Sequence, residues 1–110
     1  MVAEAEARFV RSSARKVRLV IDLIRGKRVD EALQLLRYTP RAAARTVAKL
    51  LDSAKANAAE VAGLSEDRLY VKEAWVNQAP TAKRVRARAM GRAVLVRKRS
   101  CHVKIVLDEL

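Results

Sequence analysis

Nine basic residues and no acidic residue fall between Ala74 and Leu107, and no other part of this 110-residue chain is so one-sided in charge. The nine are Lys83, Arg84, Arg86, Arg88, Arg92, Arg97, Lys98, Arg99 and Lys104. Ammonium and guanidinium groups form charge-assisted hydrogen bonds with phosphate, and a guanidinium can donate two at once. A cluster of this kind predicts binding of a polyanion, and nucleic acid is the first candidate.

Residues 77–93 have little apolar surface to bury, because Val85 and Met90 are their only large apolar side chains. Such a segment does not form a core of its own, and its like charges repel one another. In an extended chain Lys83 would lie on the opposite side from Arg84, Arg86 and Arg88, so that charge faces several directions. The competing interpretation is a solvated loop, which would usually carry charges of both signs.

Two more basic clusters precede this region. Ser12, Ser13, Arg15 and Lys16 stand at the start of a predicted helix, where free N–H groups and a partial positive charge favour an anion. Arg25, Lys27 and Arg28 form a basic turn around Gly26. The alternatives, an ordinary serine cap and a solvated turn, stay open on this evidence.

A fourth cluster, Arg97-Lys98-Arg99-Ser100, lies where the basic segment meets a predicted strand. It continues the same basic surface and predicts phosphate contact, although charge on an edge strand can also serve to block edge pairing. His102, the only histidine, is expected to contact RNA from the sheet surface or to pack. Cys101 falls on the inward side of the same strand and is expected in the core.

The chain lacks the usual signals of an enzyme. Its three glycines are far apart, which excludes a glycine-rich phosphate loop. A single histidine leaves no nucleophile–base pair, and no residues have the spacing of metal ligands. We therefore expect no catalysis, no metal and no cofactor.

Composition predicts a single domain over residues 1–110 in a soluble intracellular protein. The formal net charge is +12, which favours phosphate-rich partners. One cysteine permits no internal disulfide and fits a reducing compartment. The N-terminus lacks the order of a secretion signal, and no apolar run approaches the roughly 20 residues that would span a membrane.

Periodicity predicts six elements in an α+β arrangement. Period-two alternation predicts a strand over 3–11, with Ala3, Ala5, Ala7 and Phe9 on one face. Apolar residues three and four apart predict helices capped by Ser12 or Ser13, by Asp30, and by Thr39 with Pro40. The helices are predicted over 12–26, 30–38 and 40–63, and the later strands over 68–76 and 94–107. Those two strands would pair as a hairpin across the long connection 77–93.

In order and spacing, several of these segments resemble the L-twenty-two family of bacterial large-subunit ribosomal proteins. The matching segments are Arg11–Val20, Asp22–Lys27, Ser53–Ala58, Lys83-Arg84, Arg88–Ala93 and Lys98–Val103. The resemblance covers essentially the full length. It implies a three-stranded antiparallel sheet packed on three helices, with a long protruding basic β-hairpin.

The resemblance also implies a structural constituent of the large ribosomal subunit in the cytoplasm. Its partners would be ribosomal RNA, neighbouring ribosomal proteins and, near the hairpin tip, the nascent peptide in the exit tunnel. The protein would support subunit assembly as a single copy, without a membrane. The candidate RNA-binding residues are Ser13, Arg15, Lys16, Arg18, Arg25, Lys27, Arg28, Lys83, Arg84, Arg86, Arg88, Arg92, Arg97, Lys98, Arg99, Ser100 and His102.

The main alternative is a basic DNA-binding or chromatin-associated protein, because the first two helices weakly resemble a helix-turn-helix. That alternative predicts an exposed polar face on residues 30–38, whereas Ala32, Leu33, Leu35 and Leu36 make this helix strongly apolar. It also leaves the basic hairpin unexplained. A basic enzyme acting on nucleic acid would need a carboxylate cluster or a base, and the sequence offers neither.

Overall fold

Eight helices and strands follow one another in the part of the chain that the computed structural model describes, namely residues 2–60, 63, 68–87, 91 and 93–109. They are β1 (Val2–Val10), α1 (Ala14–Ile24), α2 (Val29–Tyr38), α3 (Ala42–Glu60), β2 (Leu69–Gln78), β3 (Ala82–Ala87), β4 (Ala93–Lys98) and β5 (Cys101–Glu109). Three strands form an antiparallel sheet in the order β1-β5-β2, and β3 pairs with β4 in a second sheet. The predicted α+β class is confirmed.

The core lies between the three helices and one face of the larger sheet. The central strand β5 supplies the bulk of that face: Ile105 pairs with Ala5 on one side and Ala74 on the other. Leu107 likewise lies beside Ala3. Small residues therefore flank large ones across this face of the sheet, and α3 packs against β1.

Helix α1 begins and ends as predicted. The Ser13 hydroxyl accepts a hydrogen bond from the Lys16 N–H at 3.4 Å. Gly26, at φ +75°, adopts the left-handed conformation that stops the helix. Val17, Val20, Ile21 and Ile24 are buried, as the apolar stripe predicted.

The predicted caps of the other two helices are wrong. Helix α2 begins at Val29 with Arg28 at its cap position, so that Asp30 lies inside the first turn. The Thr39 hydroxyl donates to the Leu35 carbonyl at 2.6 Å and thus closes α2 rather than opening α3. The described part of α3 begins at Ala42 and reaches Glu60, and residues 61 and 62 of the predicted helix lie outside the described residues.

The predicted single strand over 94–107 is also wrong, because β4 ends at Lys98 and β5 begins at Cys101. Gln78 pairs with Cys101 and Ala82 pairs with Lys98, so three residues on one side of the junction face two on the other. The ladder cannot run evenly across unequal segments. Pro80 also lacks the N–H that a continuous ladder needs.

Each outer strand of the larger sheet contains a bulge. In β2 the register shifts between Val71 and Glu73, which turns Ala74 and Val76 inward. The sequence was compatible with a strand that is bulged or one that is buried on both faces, and the structure shows a bulge. In β1 the shift lies between Ala7 and Val10, so that Phe9 leaves the alanine face and is 58% exposed.

The β3–β4 hairpin lengthens the molecule. The radius of gyration is 16.8 Å, whereas a compact domain of this size has about 13 Å. The longest dimension is 61 Å and the shortest is 17 Å. The protruding hairpin implied by the resemblance is therefore confirmed. No helix in the described ranges has the length and apolar character needed to cross a membrane.

Candidate nucleic-acid interface

The base of the hairpin is fixed by hydrogen bonds between the two chain segments that leave the larger sheet. The Ala79 N–H donates to the Ser100 carbonyl at 3.1 Å, and the Ser100 hydroxyl donates to the Pro80 carbonyl at 2.8 Å. Ser100, predicted to contact RNA, thus also holds the hairpin base together. This arrangement sets the position of the flanking basic residues, Lys83 and Arg99.

A cleft of about 550 Å³ lies between this hairpin base and the start of α1. Its lining residues are Ser13, Ala14, Arg15, Arg18, Gln78, Ala79, Thr81, Lys83, Arg99 and Ser100. Four of these residues are cationic, and none of the described lining residues is acidic. The cleft therefore brings the start of α1 together with Lys83 and with the Arg99-Ser100 junction, which lie about 65 to 87 residues further along the sequence.

The cleft has the chemistry of an anion site. The first turn of α1 contains no acidic residue, and Arg15 and Lys16 are exposed there. The helix start contributes a partial positive charge, and the cationic side chains face it from the hairpin base. Thr81 and Gln78 add neutral hydroxyl and amide groups that can form hydrogen bonds, and neither residue is among those predicted from the sequence.

Two of the predicted RNA-binding arginines also bind the protein's own backbone. The Arg18 guanidinium donates to the Val76 carbonyl from Nε at 3.3 Å and from Nη2 at 2.9 Å. Arg25 donates from Nε to the Ala74 carbonyl at 2.8 Å and forms an ion pair with Asp22. These bonds attach α1 to β2, a structural role that has no signature in the sequence.

Substituting Arg18 should therefore weaken the fold as well as the cleft. Arg18→Ala removes two charge-assisted hydrogen bonds to Val76, and we expect a loss of about 1–2 kcal/mol in the free energy of unfolding. Urea unfolding would measure it. Arg15→Ala, which removes an exposed guanidinium from the same helix, serves as the control and should change stability by less than about 0.5 kcal/mol. Equal losses in both variants would contradict a specific role for Arg18.

The basic turn between α1 and α2 lies along β2. The Gly26 N–H donates to the Val71 carbonyl at 3.0 Å, and the Val71 N–H donates to the Lys27 carbonyl at 2.9 Å. The backbone of Arg28 forms an isolated antiparallel β-bridge with that of Tyr70. Lys27 and Arg28 are exposed, on a turn separate from the residues that line the cleft.

The remaining predicted residues are distributed along the hairpin. Lys83 pairs with Arg97, Arg84 with Val96 and Arg86 with Val94, so the backbones of these basic residues are all in paired strands. Lys83, Lys98 and Arg99 are exposed. Arg88 and Arg92 lie outside the described residues.

His102 and Cys101 occupy the first two positions of β5. The Nδ1 atom of His102 accepts the Phe9 N–H at 3.0 Å, and the two rings meet edge to face. Cys101 is fully buried, as predicted. Its burial raises the pKa of the thiol, an effect that the nearby Arg18 charge partly opposes. Across the described ranges, no cluster of His, Cys, Asp and Glu could hold a metal ion.

Comparison with known proteins gives a consistent result. A model of the family described as Ribosomal protein L22p/L17e matches residues 5–108. The chain is 57% identical to the large ribosomal subunit protein uL22 of Thermoanaerobacter sp. strain X514, over 99% of this chain and 98% of that protein. It is 54% identical to the protein of the same name from Thermus thermophilus, over 99% and 96%. For the one from Deinococcus radiodurans the identity is 53%, over 96% and 78%.

Proposed function

The chain belongs to the ribosomal protein L22p/L17e family and is a structural constituent of the large ribosomal subunit, and from that premise we propose that it binds ribosomal RNA through the basic cleft. The single observation that carries the proposal is the cleft itself. It places Arg15, Lys83 and Arg99 around one helix start with no acidic residue among its described lining. Phosphate groups of a folded RNA match this arrangement in charge and in hydrogen-bonding capacity.

In the proposed mechanism the globular part anchors the protein and the hairpin extends the contact. Ser13, Arg15 and Lys16 at the helix start and Arg97–Arg99 at the hairpin base would hold one RNA segment from both sides of the cleft, and the Arg25–Arg28 turn would hold another. Lys83, Arg84, Arg86, Arg88 and Arg92 would neutralise phosphates that crowd around the hairpin. Contacts of this kind recognise shape and backbone rather than base sequence.

We also propose the finer role that the resemblance implies, namely that the hairpin lines part of the peptide exit tunnel near the nascent chain and that the protein supports subunit assembly. The separate two-stranded sheet and the 61 Å length support this proposal. A hairpin that leaves the globular part can reach RNA that the rest of the protein does not touch. Several RNA segments would then be joined by one chain.

The alternative of DNA binding through a helix-turn-helix is disfavoured by helix α2. Its first turn carries Asp30 and Glu31, both exposed, where a recognition helix would approach phosphates. Ala32 and Leu36 face the core. The outward residues include Leu35 and Tyr38, which are poorly suited to the floor of a DNA groove.

Competition binding tests the proposal. Labelled large-subunit ribosomal RNA of Thermus thermophilus would be bound to the protein at about 0.15 M salt. Unlabelled ribosomal RNA or duplex DNA would then be added as competitor. We expect the RNA to compete at concentrations at least about tenfold lower than the DNA, because A-form grooves and folded junctions differ in shape from B-form DNA. Equal competition would overturn the proposal in favour of non-specific polyanion binding.

A further inference from the structure

The bulge in β1 holds a bulky aromatic residue in a conformation that such residues rarely adopt. Phe9 has a φ of +55°, and it is the only residue other than glycine with a positive φ among those the structure describes. Side chains with a Cβ are disfavoured there, and outliers of this kind tend to persist where function requires them. The conformation turns the ring away from the alanine face of the sheet.

The exposed ring of Phe9 contacts two neighbouring side chains, His102 and Arg8. The Phe9 N–H donates to Nδ1 of His102 at 3.0 Å, and the His102 ring meets the phenyl ring at right angles with centroids 4.8 Å apart. The Arg8 guanidinium lies over the phenyl ring, 5.6 Å from its centroid. The ring nevertheless keeps 58% of its surface exposed. An apolar ring is therefore fixed in orientation and presented to solvent.

We propose that the Phe9 ring stacks on an unpaired base of the bound ribosomal RNA. This inference rests on the proposed RNA-binding function and adds to it a contact with a base rather than with phosphate. Aromatic rings and guanidinium planes are the groups on which splayed RNA bases stack, and Phe9 and Arg8 provide one of each. Phe9 lies four residues before Ser13, the cap of the helix whose start lines the cleft.

The surroundings of Phe9 favour RNA over a neighbouring protein as the occupant. Arg8 and Arg11, on either side of it, are both exposed, and Val10 is partly buried against the core. Among its neighbours in the chain, the ring is thus an exposed apolar group between two exposed cations. An RNA base can stack on the ring while its phosphate backbone pairs with the neighbouring cations. An apolar protein surface could contact the ring but would leave the cations without a partner of opposite charge.

The test separates stacking from charge by measuring affinity against salt. Phe9→Leu keeps an apolar side chain with the same backbone constraint but removes the aromatic face, and Phe9→Tyr keeps the face. For Thermus thermophilus large-subunit ribosomal RNA, we expect Phe9→Leu to lower affinity about 5- to 100-fold at every salt concentration, with an unchanged log–log salt slope. Phe9→Tyr should stay within about twofold of the parent protein. Tyr38→Leu, which removes an exposed aromatic ring from α2, is the matched control and should have no effect.

A fluorescence measurement covers the case in which Phe9→Leu folds poorly. In a Trp75→Phe background, Phe9→Trp leaves one tryptophan at the bulge, and stacking on a base should quench its emission and shield it from acrylamide. Unchanged emission on binding, or equal affinity of the parent and Phe9→Leu, would overturn the stacking inference while leaving RNA binding in place. Failure of the parent protein to prefer ribosomal RNA over duplex DNA would instead overturn the proposed function.

Discussion

Removing three cations from the cleft should lower the affinity for ribosomal RNA about a hundredfold or more at roughly 0.1 M salt. The variant is Arg15→Ala, Lys83→Ala and Arg99→Ala combined, and it spares Arg18 because that side chain also holds α1 against β2. Each phosphate contact contributes about 0.7 to 0.9 to the log–log salt slope, so the slope should become shallower by about 2 to 3. Filter binding over a salt series would measure both quantities.

A control with the same change in charge distinguishes the cleft from general attraction. Arg41, Arg45 and Lys49 are three exposed cations at the start of α3, away from the cleft lining. Replacing all three by alanine lowers the net charge equally and should reduce affinity far less, because these residues are not expected to touch phosphate. Equal losses in the two triple variants would show that only overall charge matters, and the cleft would lose its proposed role.

The largest effect on stability is expected from Ile105→Ala. Ile105 is fully buried in the central strand, and its cross-strand neighbours on both sides, Ala5 and Ala74, are alanines. After the substitution, alanine would stand at three adjacent positions across the three strands, and these small side chains cannot fill the space that the isoleucine leaves. We therefore expect a loss near the upper end of the usual range for such truncations, about 3–5 kcal/mol in the free energy of unfolding. Urea unfolding followed by circular dichroism would measure it.

Val106→Ala is the natural comparison for Ile105→Ala. Val106 follows Ile105 in the same strand but faces the other side of the sheet, opposite Glu4 and Glu73, and it is 7% exposed. Water can reach that side after truncation, so the expected loss is about 1–2 kcal/mol. Equal losses of unfolding free energy in Val106→Ala and Ile105→Ala would contradict this explanation. They would show that the small cross-strand neighbours of Ile105 do not make its truncation unusually costly.

The sequence predicted those parts of the fold that depend on local pattern. The apolar stripe from Val17 to Ile24, the Ser13 cap and the stop at Gly26 all follow from spacing and residue type, and each is confirmed. It misassigned Thr39, which can cap the helix after it or close the helix before it. Here the Leu35 carbonyl competes successfully for the hydroxyl. Such competition is decided by three-dimensional geometry and leaves no periodic signal.

The candidate site was predictable in composition but not in arrangement. The basic clusters were evident from charge alone. That they line one cleft depends on the hydrogen bonds of Ser100 with Ala79 and with Pro80, which fix the hairpin base. The exposed position of Phe9 depends on the bulge, which alternation cannot reveal because alternation assumes an even register. The bonds from Arg18 and Arg25 to β2 carbonyls likewise require the packed structure.

At the hairpin base, three residues of one segment face two of the other, and this unequal junction limits how the hairpin could change in length. Adding or removing equal numbers of residues in β3 and β4 would alter its reach by about 3.4 Å per pair and leave the junction intact. A change in one strand alone would shift the pairing by one position, which exchanges the inner and outer sides of that strand. The hairpin can therefore become longer without changing its junction with the larger sheet only when β3 and β4 gain the same number of residues. An insertion in one strand alone would reverse which of its side chains lie on each face of the hairpin.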